Sequence, residues 1–395
     1  MQTIDIMYLF DLTHTAHCEA LTGVQRVSRS ICHEFNKEGV SVGICYDPYF
    51  EEWRKLTPKE IAYLNTQREG AGLRRKSFWT WDQRLHGIKR KFFRTPNEFD
   101  FKKVQGIIVA EIFKHSITKQ YTELFEKIKG PKIAIFHDLI ALQLPEFAMK
   151  KTVCNLAQYA KDLLMFDGVV AISESSRQVL QDYWKFLGAK KQPHLTALPL
   201  GNDFFFRDFS ATVSSSAFPL LICVGAWEGR KNHFNLLKAA EVLWKEGLQF
   251  ELRLVGMLHE TGAPAFKLFK ELRDSGFPLA WEGTVTDDKL KWFYKKAYCT
   301  VYPSLKEGYG LPVIESLSFG APCICSSEGA LGEVSKGGGC LTCNTASIGE
   351  LTAAIKKMLT DCSLRNALAK EAQQRRFRSW GQYVGELKKI IAEIS

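Results

Sequence analysis

The chain has 395 residues, more than one hydrophobic core serves, which predicts two domains. Hydrophobic residues make up 46% and charged residues 24%, as in soluble globular proteins, and no apolar run reaches the roughly 18 residues of a spanning helix. The formal net charge of +10 is concentrated: between Arg68 and Arg94 nine basic residues are opposed only by Glu69 and Asp82.

The amino terminus, MQTIDIMYLFDLTH, carries Asp5 and no base ahead of its apolar stretch, the opposite of a signal peptide. It predicts a first buried strand over 4–10. A helix-like GVQRVSRSICHEFNKEG follows, and then the apolar runs VSVGICY, GIIVAEIF, KIAIFHD and GVVAIS, each succeeded by polar or helical sequence. Short two-sided apolar strands separated by helices predict a parallel sheet with helices on both faces. Between VSVGICY and GIIVAEIF lies a basic-aromatic insert, near 50–103, in which Phe78, Trp79, Trp81, Phe92 and Phe93 interleave with the cations.

Residues 193–217 are rich in Pro, Gly and Ser and read as the interdomain linker. The rhythm restarts with PLLICVG (219–225), a helix from Asn232, FELRLVG (250–256), PLAWEGTV, a helix from Asp287, CTVYPS (299–304), a helix from Pro312 and APCICSS (321–327). The end, from Ser363, is helical and charged. The expected organisation is α/β, with two doubly wound Rossmann-like domains (1–200 and 201–375) facing across a cleft. A terminal helix (376–395) returns to the first domain. Ligands belong at the carboxyl ends of the strands.

Eleven scattered cysteines form no framework. Cys340 and Cys343 make a CxxC, but a structural zinc site needs a second pair. Cys323 and Cys325 alternate along an apolar run and read as strand residues. Buried reduced thiols and a cytoplasmic location are the expectation.

The strongest motif is Glu307-Gly-Tyr-Gly-Leu-Pro-Val-Ile-Glu315, between a buried strand and a helix with Pro at its first turn and Gly320 at its end. Gly308, Tyr309 and Gly310 let backbone approach a ligand, and the N–H groups from Leu311 onward open an anion site for a diphosphate. Glu315, one turn in, can accept bonds from ribose hydroxyls. Glu307, in the loop, is expected to meet sugar hydroxyls, so its loss should abolish turnover and spare the fold. The alternative is a helix start with well-placed acids. Gly225-Ala-Trp-Glu-Gly-Arg230-Lys231-Asn232 follows a buried strand and sets two cations where phosphates would bind. In the first half, Gly23 of TGVQRV opens a helix that can face a phosphate, or is an ordinary cap. His137 ends the strand KIAIF, where it can touch a sugar or serve structurally. Ser173-Glu174-Ser175 reads as a helix cap.

The segments EGYGLPVIESL, GRKN, EGTVTDDKLKWFYKKA, HDL and VAISESSR together resemble the family 4 retaining glycosyltransferases of GT-B fold, from about residue 20 to 380. The likeness is of the bacterial surface-polysaccharide, mannosyltransferase-like type. It implies that Glu307 and Glu315 bind donor sugar and ribose and that Arg230 and Lys231 bind the diphosphate. It also implies that Val285 lines the base pocket and that His137 touches the donor sugar in a retaining reaction. Ala226 stands where many members carry Arg or Thr, and TGVQRV has one Gly of the usual pair. The expected activity is metal-independent hexosyl transfer from a nucleotide sugar, GDP-mannose ahead of UDP- or dTDP-sugars, to a lipid-linked or oligosaccharide acceptor of O-antigen or capsule. No cofactor or metal is called for: the chain has no Asp-x-Asp. A nucleotide-sugar epimerase and a glycogen- or sucrose-type synthase are the alternative enzymes, the first disfavoured by the Glu-x7-Glu spacing and the second because a soluble acceptor gives little need of a basic-aromatic segment. A nucleic-acid binder is the alternative class, disfavoured because the charge is local and no nucleic-acid module is present. The Arg68–Arg94 segment is expected to hold the protein on the inner, anionic face of the cell membrane through Trp79, Trp81, Phe92 and Phe93, unless those aromatics are core beneath a solvated face.

Overall fold

The computed structural model describes residues 7–18, 22–65, 78–93, 99–202 and 218–394. The first domain runs β1 (Met7–Asp11), α1 (Gly23–Lys37), β2 (Ser41–Asp47), β3 (Glu52–Lys55), α2 (Pro58–Asn65), α3 (Trp81–Phe92), β4 (Val104–Val109), α4 (Thr118–Phe125), β5 (Lys132–Phe136), α5 (Ile140–Gln143), α6 (Lys150–Asp162), β6 (Gly168–Ala171), α7 (Glu174–Phe186) and β7 (His194–Ala197). Its sheet order is β3-β2-β1-β4-β5-β6-β7. The second domain runs β8 (Leu220–Val224), α8 (His233–Lys245), β9 (Glu251–Val255), α9 (Ala263–Asp274), β10 (Leu279–Gly283), α10 (Asp287–Lys296), β11 (Cys299–Tyr302), α11 (Leu311–Ser318), β12 (Cys323–Ser326), α12 (Gly329–Ser335), β13 (Cys340–Cys343), α13 (Ile348–Thr360) and α14 (Cys362–Gln374), and α15 (Trp380–Ile394) ends the chain. The second sheet, β10-β9-β8-β11-β12-β13, is parallel throughout. The fold is two Rossmann-like α/β domains, and the apolar runs form it for a simple reason. Strands such as Ile133–Phe136 are covered on both faces, so every position must be apolar.

Four local expectations change. The first sheet is not wholly parallel: β3 pairs antiparallel with β2 at its edge. EEWRKL hides this strand because Arg54 looks like a surface residue. In fact Arg54 is 1% exposed, bonded at 2.8 Å to Asp47 and to both oxygens of Glu60, which offsets its burial. The expected linker begins later than 193, since His194–Ala197 pairs parallel with β6 as a seventh strand. Trp79 is buried, stacked on His17 at 3.8 Å between centroids. Finally, Cys340–Cys343 is a strand opposite Cys323–Ser326; all eleven cysteines are free thiols, and Cys154 and Cys362 are exposed.

The outgoing and returning interdomain crossings run side by side. Asn202 N–H donates to Arg378 O at 2.8 Å, and Arg378 donates to Pro199 O at 2.5 Å. A Cβ on Gly201 would come within 2.8 Å of the Trp380 backbone, so only glycine passes there. Beyond the crossing, Trp380, Tyr383, Val384, Leu387 and Ile391 of α15 pack into the first domain's core with Phe10, Val27, Ile31 and Phe35. Among the described residues no helix is long and apolar enough to cross a membrane.

Candidate functional site

The second domain supplies the charged centre. Gly229–Lys231 forms one 3-10 turn after β8, and Asn232, in the left-handed region at φ 58°, ends it and starts α8. The buried Asn232 amide holds that corner by donating to Pro303 O (3.3 Å) and Thr345 O (2.7 Å). Arg230 and Lys231 thereby face the loop after β11. Lys231 Nζ lies 2.6 Å from Glu307 Oε1 and 2.5 Å from Tyr302 Oη. Arg230 lies 3.1 Å from the same Glu307 oxygen and 3.1 Å from Glu228.

Glu307 is therefore not free in its loop. Its side chain is 8% exposed and pairs with two cations. Burial by itself would raise its pKa, but the fields of Lys231 and Arg230 outweigh it and hold the carboxyl at about 2. Burial pulls the Lys231 ammonium down from its usual value, against the field of Glu307.

Gly310, at φ 108°, is the N-cap of α11, and Pro312 occupies its first turn. Glu315 is 2% exposed. One oxygen accepts Tyr294 Oη–H at 2.8 Å, and the other meets Arg26 of α1 at 2.5 Å. This ion pair spans the two domains. The Tyr309 hydroxyl donates to Leu200 O at 3.1 Å beside the interdomain crossing, so its side chain is engaged there and not with the charged centre. Gly225 is not required by packing, since a Cβ there meets Lys231 Cδ at an ordinary 3.7 Å. Gly256 is the demanding position: at φ 143°, a Cβ would lie 2.0 Å from Gly225 O. Val285, between β10 and α10, packs half-buried with Val224 and Leu290 against Ile222, Val255 and Phe293, an apolar wall beside the strand ends.

From the first domain come Gly23, His137 and the start of α7, where two contacts absent from the sequence reading join the domains. Gly23 is the first residue of α1, and a Cβ there would meet nothing within 4 Å. His137 is 3% exposed at the end of β5, its Nε2 2.8 Å from Ala110 O. A carbonyl only accepts, so Nε2 carries the proton, and burial lowers the ring's pKa, keeping it neutral. A Cβ on Gly308 would press within 3.0 Å of His137 O, so the glycine lets the second domain's loop touch the first. Ser176 closes that contact, donating to His137 O (2.8 Å) and Gly308 O (3.2 Å). Ser173 caps α7 as its sequence predicted, accepting from Ser176 N–H at 3.0 Å. The carboxylate of Glu333, from α12, accepts the N–H groups of Glu174 (3.1 Å) and Ser175 (2.5 Å). Arg26, Ser176 and Glu333 carry no sequence signal of their own, because the partners they meet in the other domain lie more than 100 residues away.

Among the described residues one trio brings three metal-type donors within 4.8 Å: His17, Cys45 and Glu60. It is an ion-pair network and a poor metal site. Arg54 occupies both Glu60 oxygens, His17 bonds Thr13 O and Glu60, and burial pushes the Cys45 thiol well up.

Known proteins resemble this chain in sequence and in fold. A family profile described as "Glycosyl transferases group 1" matches residues 206–375. The serotype-specific mannosyltransferase WbdA of Escherichia coli is 26% identical over 345 residues, 80% of this chain and 38% of its own. The MMP alpha-(1->4)-mannosyltransferase of Mycolicibacterium hassiacum is 33% identical over 56% of this chain and 54% of its own. The sucrose-phosphate synthase of Thermosynechococcus elongatus superposes with a TM-score of 0.69 at 18% identity, covering 98% of this chain and 99% of that one. The chain thus spans well under half the length of WbdA while matching a whole solved chain in fold. Residues 206–375 match the glycosyl transferases group 1 profile, and the chain has the GT-B fold and a likeness to mannosyltransferases.

Proposed function

We propose that the protein is a retaining, metal-independent hexosyltransferase. It moves mannose from GDP-mannose to a saccharide acceptor in bacterial O-antigen or capsule synthesis, at the cytoplasmic face of the membrane. The observation that carries this is the convergence of Lys231 and Arg230 on one carboxylate, Glu307, in the loop that leads into α11. Breaking a bond between an anomeric carbon and a diphosphate builds negative charge on the leaving oxygen. Preorganised cations and helix N–H groups act most strongly on such charge, each typically worth about 10²–10³ in rate. When the donor enters, its phosphates replace Glu307 on the two cations, and Glu307 turns to the sugar hydroxyls. Its ribose replaces Arg26 on Glu315. His137, neutral and fixed by Ala110 O, lines the sugar's other side. Two side-chain cations supply the charge a divalent metal would otherwise bring. Retention follows a front-face course, in which the leaving phosphate takes the acceptor hydroxyl's proton.

The mannosyltransferase names of the relatives support mannose and O-antigen; the order GDP before UDP or dTDP rests on the likeness alone. The test is a panel of GDP-, UDP- and dTDP-sugars, scored for release of nucleoside diphosphate with and without EDTA. Faster turnover of GDP-mannose, unchanged by chelation, is expected. Equal turnover of unrelated donors, or loss in EDTA restored by Mg²⁺, would overturn the assignment.

A further inference from the structure

Helix α3 is built inside out. A surface helix normally turns its apolar stripe inward. In α3, Trp81, Leu85, Ile88 and Phe92 recur at spacings of four, three and four, within one narrow arc, and are 75%, 51%, 52% and 81% exposed. The opposite face docks on the protein through polar and glycine positions. Gly87 is buried, and a Cβ there would strike Tyr49 Cβ at 2.8 Å and Asp47 Oδ1 at 2.9 Å. Gln83 donates to Glu60 at 2.9 Å and completes a capping box with Thr80, Arg84 donates to Trp79 O at 3.0 Å, and Arg90 lies over the Phe50 ring at 4.8 Å. The outward ridge is therefore not a frayed or unsupported helix. Its inner face is anchored, and its outer face is left apolar, with Phe93 beside it 73% exposed.

We infer that this ridge docks on an anionic lipid bilayer. Charge complementarity selects that occupant. On the helix wheel, Lys89 flanks the ridge on one side and Arg84 and Lys91 on the other; the helix has four bases against the single acid Asp82, with Lys91 also paired to Glu51 at 2.7 Å and Arg90 packed on Phe50. A second copy of this chain would bring like charges together, whereas an anionic bilayer offers both a hydrocarbon boundary for the ridge and charge for its flanks. The ridge lies where docking would serve the cleft. Asp47, Tyr49 and Phe50, on which α3 sits, lie at and just after the carboxyl end of β2, which is parallel to β1. This is the strand edge that also carries Gly23 and His137. A membrane-borne acceptor would thus meet the mouth of the first domain. The aromatic set differs from the sequence expectation: Trp79 belongs to the core, and Arg90 is packed. Residues 66–77 and 94–98, including Arg68 and Arg94, lie outside the described residues.

The purpose of docking rests on the proposed transferase reading, but binding itself is measured without turnover. The full chain is sedimented with vesicles of phosphatidylglycerol and phosphatidylcholine, and with phosphatidylcholine alone, at low and high salt. Wild type should bind the anionic vesicles, weaken with salt and ignore the neutral ones. Trp81→Ser with Phe92→Ser should weaken binding at least 10-fold at unchanged thermal midpoint, and Lys89→Glu with Lys91→Glu should abolish the salt-sensitive part. Unchanged binding by the Ser variant, or no wild-type binding at low salt, overturns the inference. So does a wild-type dimer that the Ser variant converts to monomer, which would assign the ridge to a second copy. If vesicle binding behaves as stated while no nucleotide sugar is turned over, the transferase reading fails and the docking surface stands.

Discussion

Replacing Glu307 with Ala separates a buried charge-neutralising role from a merely exposed ligand-binding one. The carboxyl is held at about 2 against 4.5 for a free side chain. At about 1.4 kcal/mol for each tenfold change in proton affinity, this corresponds to about 3 kcal/mol of stability at neutral pH. The same size follows from removing one partner of a buried ion pair, about 3–5 kcal/mol. In a domain of this size about 3 kcal/mol lowers the melting midpoint by roughly 6–12 °C. Because the folded pKa is depressed, the contribution is fully present above about pH 4.5 and is lost as pH falls toward about 2. The difference between wild type and variant should therefore be constant near neutrality and shrink in acid. In the variant, Lys231 and Arg230 face no carboxylate from Glu307, so GDP, whose phosphates can neutralise them, should raise its midpoint more than that of wild type. Scanning calorimetry with and without GDP makes the comparison. A variant melting within about 2 °C of wild type, with no larger shift in GDP, would refute the reasoning.

Three other outcomes follow from the same geometry. Lys231→Ala and Arg230→Ala should each weaken nucleoside diphosphate binding about 10-fold or more and leave the response to EDTA unchanged; titration calorimetry reads both. Arg26→Gln should tighten GDP binding several-fold, since ribose would no longer have to displace the cation paired with Glu315; weaker binding would mean that Arg26 moves onto the donor. His137→Ala should lower kcat about 100-fold with little change in the donor's KM, and the wild-type pH profile should lack an imidazole limb near 6.5, because burial lowers that ring's pKa. Turnover within threefold of wild type would remove His137 from the reaction.

Most of the strands and the helix starts of the second domain were legible because their causes are local. PLLICV and CTVYP are apolar on both faces, so only a parallel sheet covered by helices satisfies them. Gly310 and Pro312 mark the start of α11 by their own backbone preferences, and the Glu307–Glu315 spacing sets both carboxylates at that helix start. What the sequence left hidden depends on partners far along the chain. Arg54 made β3 look like surface until Asp47 and Glu60 closed around it, and Trp79 looked like a membrane anchor until His17 stacked on it. Arg26 on Glu315, Ser176 on Gly308 and Glu333 on the start of α7 are contacts between domains, and no period or motif records which residue of one half meets which of the other. The amphipathic pattern of α3 was written in the sequence, but its orientation was not. A stripe of Trp81, Leu85, Ile88 and Phe92 reads the same facing in or out, and only the fit of Gly87 against Tyr49 and Asp47 decided that it faces out.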